Sequence, residues 1–377
     1  MMQPDCQGHT LTVVMPCYNE AATLAQCIEN VVAIADDRLK LDMIIVDDGS
    51  TDDSLALAES FSRKYACIRV VAHEYNQGKG AALRTGLALA AGDYVAVQDA
   101  DLEYDPQDLK QMLVPLNAGK ADVVIGSRFL SCGAHRVLYF WHALGNRFLT
   151  LLSNMFTDLN LTDMESGYKV FRREILQQLE IREDRFGFEP EIIAKISHMR
   201  VRIFEMGISY HGRTYAEGKK IQARDGLWAL YCIFRYNAHR APWPIQFMLY
   251  LLIGVLVALI NLSAFALLRH FHMTMAVAAP LAFGPAAVVN YLLCIALLFR
   301  HQARWGAVKE VCLYAFTALA LAWGDFQITH ALFSWGTGPI FAKTAATVVW
   351  VLLTFWVNRL LIFSEPGSGP WQPLIKT

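Results

Sequence analysis

The sequence predicts a doubly wound α/β domain followed by an all-α, four-helix transmembrane domain. Short β-branched runs alternate with helical patterns over the first part of the chain, as repeated βα units of a mostly parallel sheet do. Of 377 residues, 55% are hydrophobic and 18% charged, and almost all the charge lies before about Arg240. Asp99-Ala100-Asp101 directly follows the apolar run Tyr94-Val95-Ala96-Val97-Gln98, which sets two carboxylates at the carboxyl end of a strand. Open α/β sheets bind ligands there.

Strands are expected at Leu11 to Met15, Met43 to Val46, Ile68 to Ala72, Tyr94 to Val97 and Val123 to Ile125. Between them, helices are expected near Ala21 to Ile34, Asp53 to Tyr65, Ala81 to Ala91 and Pro106 to Leu116, with right-handed connections. Gly49, Gly78, Gly80 and Gly126 fall just past strand ends, where a chain turns tightly or meets a ligand by its backbone.

Membrane crossings are expected at about Pro244 to Leu268, Met275 to Phe299, Val311 to Phe333 and Ile340 to Ile362, each near the roughly 20 residues that span a hydrocarbon core. Arg235 and Arg240 precede the first, Arg300, Arg304 and Lys309 separate the second and third, and Arg359 and Lys376 flank or follow the fourth. The turn Ser334 to Gly338 carries no charge, so the positive-inside rule sets both termini and the first domain in the cytoplasm. Gly226 to Arg240 interleaves Leu227, Trp228, Leu230, Tyr231, Ile233 and Phe234 with two arginines and suits an interfacial helix. Val137 to Phe156 is a second such segment, and a core helix is the alternative for each. Asp325, inside the third crossing, is expensive in lipid and is expected to face protein or a polar cavity, with Asn261 and Asn290 near it.

The net charge of -1 argues against a nucleic-acid binder. Eight cysteines lie scattered, with no Cys-X-X-Cys pair, and read as thiols of a reducing compartment. With Asp5 early and no apolar run ahead of the first strand, no cleaved signal is expected.

Two carboxylates one residue apart can aim at one hard divalent cation that also takes diphosphate oxygens. An isolated Asp-X-Asp is more often a solvated turn, and the neighbouring motifs decide. Val14-Met15-Pro16-Cys17-Tyr18-Asn19-Glu20, Ile45-Val46-Asp47-Asp48-Gly49-Ser50-Thr51-Asp52, Asn76-Gln77-Gly78-Lys79-Gly80, Asp99-Ala100-Asp101 and Gly126-Ser127-Arg128 follow in order. This series resembles the inverting family 2 glycosyltransferases of the GT-A (Rossmann-like) fold, most closely the dolichol-phosphate mannose synthase branch, over about the first 225 residues. The tail, with Asn290-Tyr291 and Trp356-Val357-Asn358-Arg359, resembles small membrane proteins of the GtrA type.

The resemblance implies that Pro16, Tyr18, Glu20 and Asp48 hold base and ribose, with Lys79, Asp99 and Ala100 also at the nucleotide, while Asp47 has a helix cap as its alternative role. It implies Mg²⁺ or Mn²⁺ on Asp99 and Asp101, and Glu103, standing where several relatives have Gln, adds a third metal-ligating carboxylate. A hydroxyl acceptor requires a general base, whereas a phosphate monoester is already anionic and requires cations. Arg128, Arg136, Arg213 and Lys219 are the acceptor-phosphate residues expected here. Asp99, Asp101, Arg128 and Arg213 form the catalytic set. His142 and His211 read as local hydrogen-bonding groups. Gly187-Phe188-Glu189-Pro190-Glu191 lies where the hydroxyl-acceptor branch carries its base, and Gln302-Ala303-Arg304-Trp305 approximates that branch's channel motif.

The expected organisation is a GT-A domain at 1–225, an amphipathic interfacial helix at 226–242, a GtrA-like domain at 243–364 and a cytoplasmic tail at 365–377. The expected activity is inverting transfer of a hexose from a nucleotide-diphosphate sugar, of the GDP-mannose or UDP-glucose type, to a polyprenyl phosphate at the cytoplasmic membrane. Transfer to a hydroxyl of a lipid or glycan, or glycolipid translocation, is the alternative. Which sugar is carried, and whether the chain forms a homo-oligomer, is not written in these motifs.

Overall fold

The computed structural model describes residues 8–130, 136–137, 139–213, 223–273, 275–299, 307–337, 345, 349 and 352–362. Backbone contacts divide the chain into two compact units, one running to Asn237 and one from Ala238 to Gly369.

The first unit is built on seven strands: β1 (His9–Cys17), β2 (Leu39–Asp47), β3 (Ile68–Ala72), β4 (Tyr94–Val97), β5 (Val123–Ser127), β6 (Lys169–Arg172) and β7 (Ile203–Gly207). Their order is β3-β2-β1-β4-β6-β5-β7. All neighbours are parallel except β6, which runs antiparallel between β4 and β5. The five expected strands are present, with β1 and β2 longer at both ends. β6 and β7 were not expected. Lys169-Val-Phe-Arg172 is four residues long with a charge at each end, and Glu205 interrupts β7, so neither shows the apolar run that marked the others.

The helices are α1 (Ala21–Val32), α2 (Ser54–Lys64), α3 (Lys79–Ala88), α4 (Gln107–Asn117), α5 (Phe140–Thr157), a single turn α6 (Arg173–Leu176), α7 (Phe188–His198) and α8 (Ala223–Asn237). In α1, Leu24, Cys27, Ile28 and Val31 are buried, the stripe that 3.6 residues per turn predicts. They pack on Leu11, Val13 and Met15 of β1, all fully buried. Burying each such side chain contributes roughly 1.5–3 kcal/mol. α5 ends where Asp158 enters the left-handed region at φ 58°. Phe156 of α5 meets Phe234 of α8 edge to face at 5.0 Å. Cys232 and Tyr236 of α8 pack with Ala194 of α7, and these contacts place α8 in the first unit.

The second unit holds α9 (Trp243–His270), α10 (Met275–Leu293), which runs into a π-turn at Cys294–Phe299, and α11 (Ala307–Ser334). Among the described residues α9 is long and apolar enough to cross a bilayer over Trp243–Leu268, and Gly284–Phe299 and Leu352–Ile362 are shorter apolar helices. Ile253, Cys294, Leu298, Phe299 and Ile362 form its core. Polar groups inside it find partners: Asn290 donates to Tyr314 at 2.7 Å, Tyr291 to Glu310 at 3.1 Å, and Arg359 to Gln246. The side chain of Asp325, Gln302-Ala303-Arg304-Trp305 and, within the fourth expected crossing, residues 340–344, 346–348, 350 and 351 lie outside the described residues.

Candidate active site

Four loops at the carboxyl ends of β1, β2 and β4 and after β7 converge. After β1, Asn19 turns back through a left-handed conformation (φ 54°). Its amide donates to Ser50 Oγ at 3.0 Å, and the Glu20 amide donates to Ser54 Oγ at 2.9 Å. The loops after β1 and β2 therefore fix each other, and the Glu20 carboxylate remains for Thr23 Oγ1 (3.1 Å) and Arg213.

The paired aspartates at the end of β2 have different surroundings. Asp48 is buried, and both its oxygens are taken: Oδ1 by His73 Nδ1 at 2.8 Å and the Gln77 amide at 3.0 Å, Oδ2 by the Gly78 amide at 2.7 Å. It pins the loop ahead of α3. Asp47 accepts the Ser50 amide on Oδ2 at 3.0 Å, while its buried Oδ1 has no hydrogen-bond partner. A buried carboxylate oxygen left open is costly, and Asp47 carries one where Asp48 does not.

After β4, the Ala100 carbonyl accepts Thr23 Oγ1 at 2.8 Å and the Asp99 carbonyl accepts Gln98 Nε2 at 3.0 Å. Ala100 itself is buried, 3% exposed. Leu102 sits in the left-handed region at φ 60°, an uncommon conformation for a leucine, which turns Asp101 Oδ1 back onto the Glu103 amide at 3.1 Å. Lys79 reaches Asp99 Oδ1 at 2.9 Å and Glu189 Oε1 at 3.3 Å. These two carboxylates hold its ammonium well above the usual lysine range despite burial.

Arg213 is the centre of the arrangement. Its Nη1 and Nη2 meet the two Glu20 oxygens at 3.1 and 3.2 Å, and Nη2 also meets Asp101 Oδ2 at 2.9 Å. Its amide donates to Glu103 Oε1 at 2.8 Å, and Tyr210 Oη donates to Glu103 Oε2 at 2.9 Å. Burial and the neighbouring Asp99 and Glu103 push the Asp101 carboxyl up to about 6, against the pull of Arg213. A cavity of about 540 Å³ opens here, lined among others by Glu20, Asp52, Asp101, Arg136, His211 and Arg213. Arg136 donates to the Gly212 carbonyl at its edge at 2.8 Å.

The other expected residues fall as follows. Tyr18 is partly exposed, and Pro16 pairs in register with Val46. Arg128 does not line the cavity: it forms a buried two-pronged pair with Asp163, Nε to Oδ2 at 2.7 Å and Nη2 to Oδ1 at 2.8 Å, beneath the Tyr210 ring. Asn146 completes that pair with a 3.0 Å bond to Asp163. Lys219 and Lys220 lie outside the described residues. Asp163, Glu165 and Lys169 belong to none of the sequence motifs. Their signal was three charges within seven residues opening a strand.

A divalent cation suits Asp99 and Asp101, hard oxygen donors whose mutual repulsion raises the proton affinity of Asp101, a cost that a cation would relieve. Glu103 fits that role less well, because Arg213 and Tyr210 consume its oxygens. Among the described residues no three acidic, His or Cys side chains gather at metal-holding distance.

The first unit is thus an α/β sheet with acidic loops, a lysine on the first aspartate and an arginine clamp, and the second is a helical, apolar unit. Residues 12–180 match the glycosyl transferase family 2 model, and residues 249–363 match the GtrA/DPMS transmembrane domain. The chain is 32% identical over 207 residues to the low-salt glycan biosynthesis hexosyltransferase Agl6 of Haloferax volcanii, covering 54% of this chain and 48% of that one. It is 28% identical to the dodecaprenyl-phosphate galacturonate synthase of Rhizobium johnstonii (56% and 62% covered). With glycosyltransferase AglJ of Haloferax volcanii the identity is 30%, over 57% and 67% of the two chains. The chain belongs to glycosyltransferase family 2 and carries a GtrA/DPMS transmembrane domain. It spans about half to three fifths of the length of the first two relatives.

Proposed function

We propose that the chain transfers a hexose from a nucleotide-diphosphate sugar to a polyprenyl phosphate at the cytoplasmic face of a membrane, with inversion. The observation that carries this reading is the cavity in which Arg136 and Arg213 stand together beside Asp101 and Glu20. Two guanidinium groups are what an anionic acceptor requires and a neutral alcohol does not. The name of the Rhizobium relative, a dodecaprenyl-phosphate sugar synthase, agrees with it.

The acceptor phosphate oxygen attacks the anomeric carbon as the bond to the nucleotide diphosphate breaks on the opposite side. Mg²⁺ or Mn²⁺ bound at Asp99 and Asp101 would neutralise the departing diphosphate as a Lewis acid. Asp47 and Glu20 supply acceptors for base and ribose hydroxyls. Lys79 orients Asp99, and Glu103 orients Arg213 through its backbone amide. Glu20 and Asp101 hold Nη1 and Nη2 of Arg213, so the engagement of those carboxylates with the donor releases its guanidinium for the acceptor. The donor therefore binds first.

Leu227, Trp228, Tyr231 and Phe234 of α8 and Tyr139, Phe140, Trp141 and Phe148 at the start of and along α5 are exposed apolar side chains suited to a headgroup layer. With four crossings following, both termini lie in the cytoplasm. Incubation of the detergent-purified chain with labelled UDP- and GDP-sugars and polyprenyl phosphate tests the proposal. An acid-labile, sugar-bearing lipid is expected. A second reading, transfer to a hydroxyl, is favoured by Glu189, whose buried Oε2 has no hydrogen-bond partner and offers a base. Its product would survive mild acid.

A further inference from the structure

Glu183, in the loop ahead of α7, is 5% exposed, and α8 closes on it from one side. Trp228 Nε1 donates to it at 2.9 Å and Tyr236 Oη at 2.7 Å, with the Arg235 guanidinium at 3.3 Å. Positions 228, 235 and 236 are spaced i, i+7 and i+8, so one carboxylate holds a single stripe of the helix across two turns.

The backbone of the same loop presses on the start of α3. A Cβ at Gly80 would lie 2.2 Å from the Glu183 carbonyl oxygen, and one at Gly78 would lie 2.3 Å from that of Asp184. Only glycine permits this approach, and at Gly78 the φ of 107° requires glycine as well. The Ala81 amide donates to the Asp184 carbonyl at 3.1 Å, and Arg84 pairs with the Asp184 carboxylate at 2.8 Å. Glu191 accepts the amides of Arg182 and Glu183, each at 2.8 Å, which stiffens the loop from below. Residues 182–185 thus form a strap tied to α8 on one side and to Gly78-Lys79-Gly80 on the other. Lys79, between those glycines, holds Asp99 at 2.9 Å.

We propose that Glu183 is a positioning residue that couples the seating of α8 to the donor-side carboxylate Asp99, acting through the strap and Lys79. The proposal rests on Asp99 serving the nucleotide. The coupling has a physical reason: Trp228, one of the Glu183 donors, is itself 45% exposed beside Leu227 and Tyr231, so whatever surface α8 rests on acts on a side chain that holds the strap. Outward movement of the strap removes the wall against Gly78 and Gly80 and leaves Lys79 free to leave Asp99.

The test is a double-mutant cycle on the full chain in detergent micelles, read by calorimetric binding of UDP and of GDP with Mn²⁺. Glu183→Gln replaces a charged acceptor facing three donors, and is expected to weaken binding of the accepted nucleotide by about tenfold. Tyr236→Phe keeps the ring and Trp228→Phe keeps an aromatic side chain; each removes one donor and weakens binding less in the same direction. In a Lys79→Met background the Glu183→Gln effect is expected to vanish, because coupled residues are not additive. Equal weakening in both backgrounds overturns the coupling, as does unchanged nucleotide binding by Glu183→Gln and both single-donor variants. If the wild-type chain binds neither nucleotide, the donor reading itself fails and takes the coupling with it.

Discussion

Arg213 and Glu20, 193 positions apart, meet in a two-pronged pair at 3.1 and 3.2 Å, and the same guanidinium reaches Asp101 at 2.9 Å. One cation thus ties the loop after β1 to the acidic loop after β4 and to the segment after β7. Under the proposed function, the carboxylates assigned to the donor and the cation assigned to the acceptor are each other's partners.

Ordered binding follows. Without nucleotide, a short-chain polyprenyl phosphate is expected to bind weakly, and UDP or GDP with Mn²⁺ is expected to raise its affinity about tenfold, the scale of a charged hydrogen-bonded pair exchanged for another. Equilibrium binding with and without nucleotide measures this, and equal affinities would contradict it.

Substitution should separate the two sides. Asp101→Ala is expected to abolish transfer, whereas Arg213→Ala is expected to raise the acceptor KM at least tenfold with a smaller change in the donor KM. Glu103→Gln keeps the shape but weakens the hold on the Arg213 backbone, so an effect of the same kind and lesser size is expected. Initial rates with each substrate varied in turn give the comparison.

Arg128 and Asp163 provide a test of stability. Asp163 is fully buried and the Arg128 side chain nearly so, and removal of one partner strands the other charge, at a cost of about 3–5 kcal/mol. Arg128→Met is expected to lower the thermal unfolding midpoint in detergent sharply, and adding Asp163→Asn should recover part of the loss. An unchanged midpoint with lost transfer would instead return Arg128 to the acceptor phosphate.

Glu165 carries the pH dependence. Burial and the nearby Glu189 push its carboxyl up to about 8, so the folded state binds this proton more tightly than the unfolded state does. Its contribution to stability is greatest below the ordinary carboxylate range and declines as pH rises toward 8. Glu165→Gln cannot lose that proton, so its unfolding midpoint relative to wild type should rise between pH 5 and pH 8. A constant difference would contradict the assignment.

Much of this architecture was legible in the residues. β3 and β4 begin and end where β-branched runs predict, and α1 shows its buried stripe directly. β6 was hidden because Lys169, fully buried, places a charge where a core strand normally shows none; its ammonium bonds to the Met164 and Ser166 carbonyls. The convergence of Glu20, Asp101 and Arg213 was legible as motifs, but their mutual neutralisation was not, since it depends on three loops brought together only by folding. Which oxygens of Asp47 and Asp48 the loop at Gly78 consumes is a matter of tertiary hydrogen bonding that adjacent identical residues do not reveal. Arg128 read as a free cation because its partner, Asp163, lies 35 positions away.

Mass analysis of the lipid product after the chain is supplied with polyprenyl phosphate and a panel of nucleotide sugars tests the central claim most directly. The account predicts a polyprenyl monophosphate bearing one hexose, formed with nucleoside diphosphate release and cleaved by mild acid. A sugar attached through an acid-stable bond to an alcohol would contradict it.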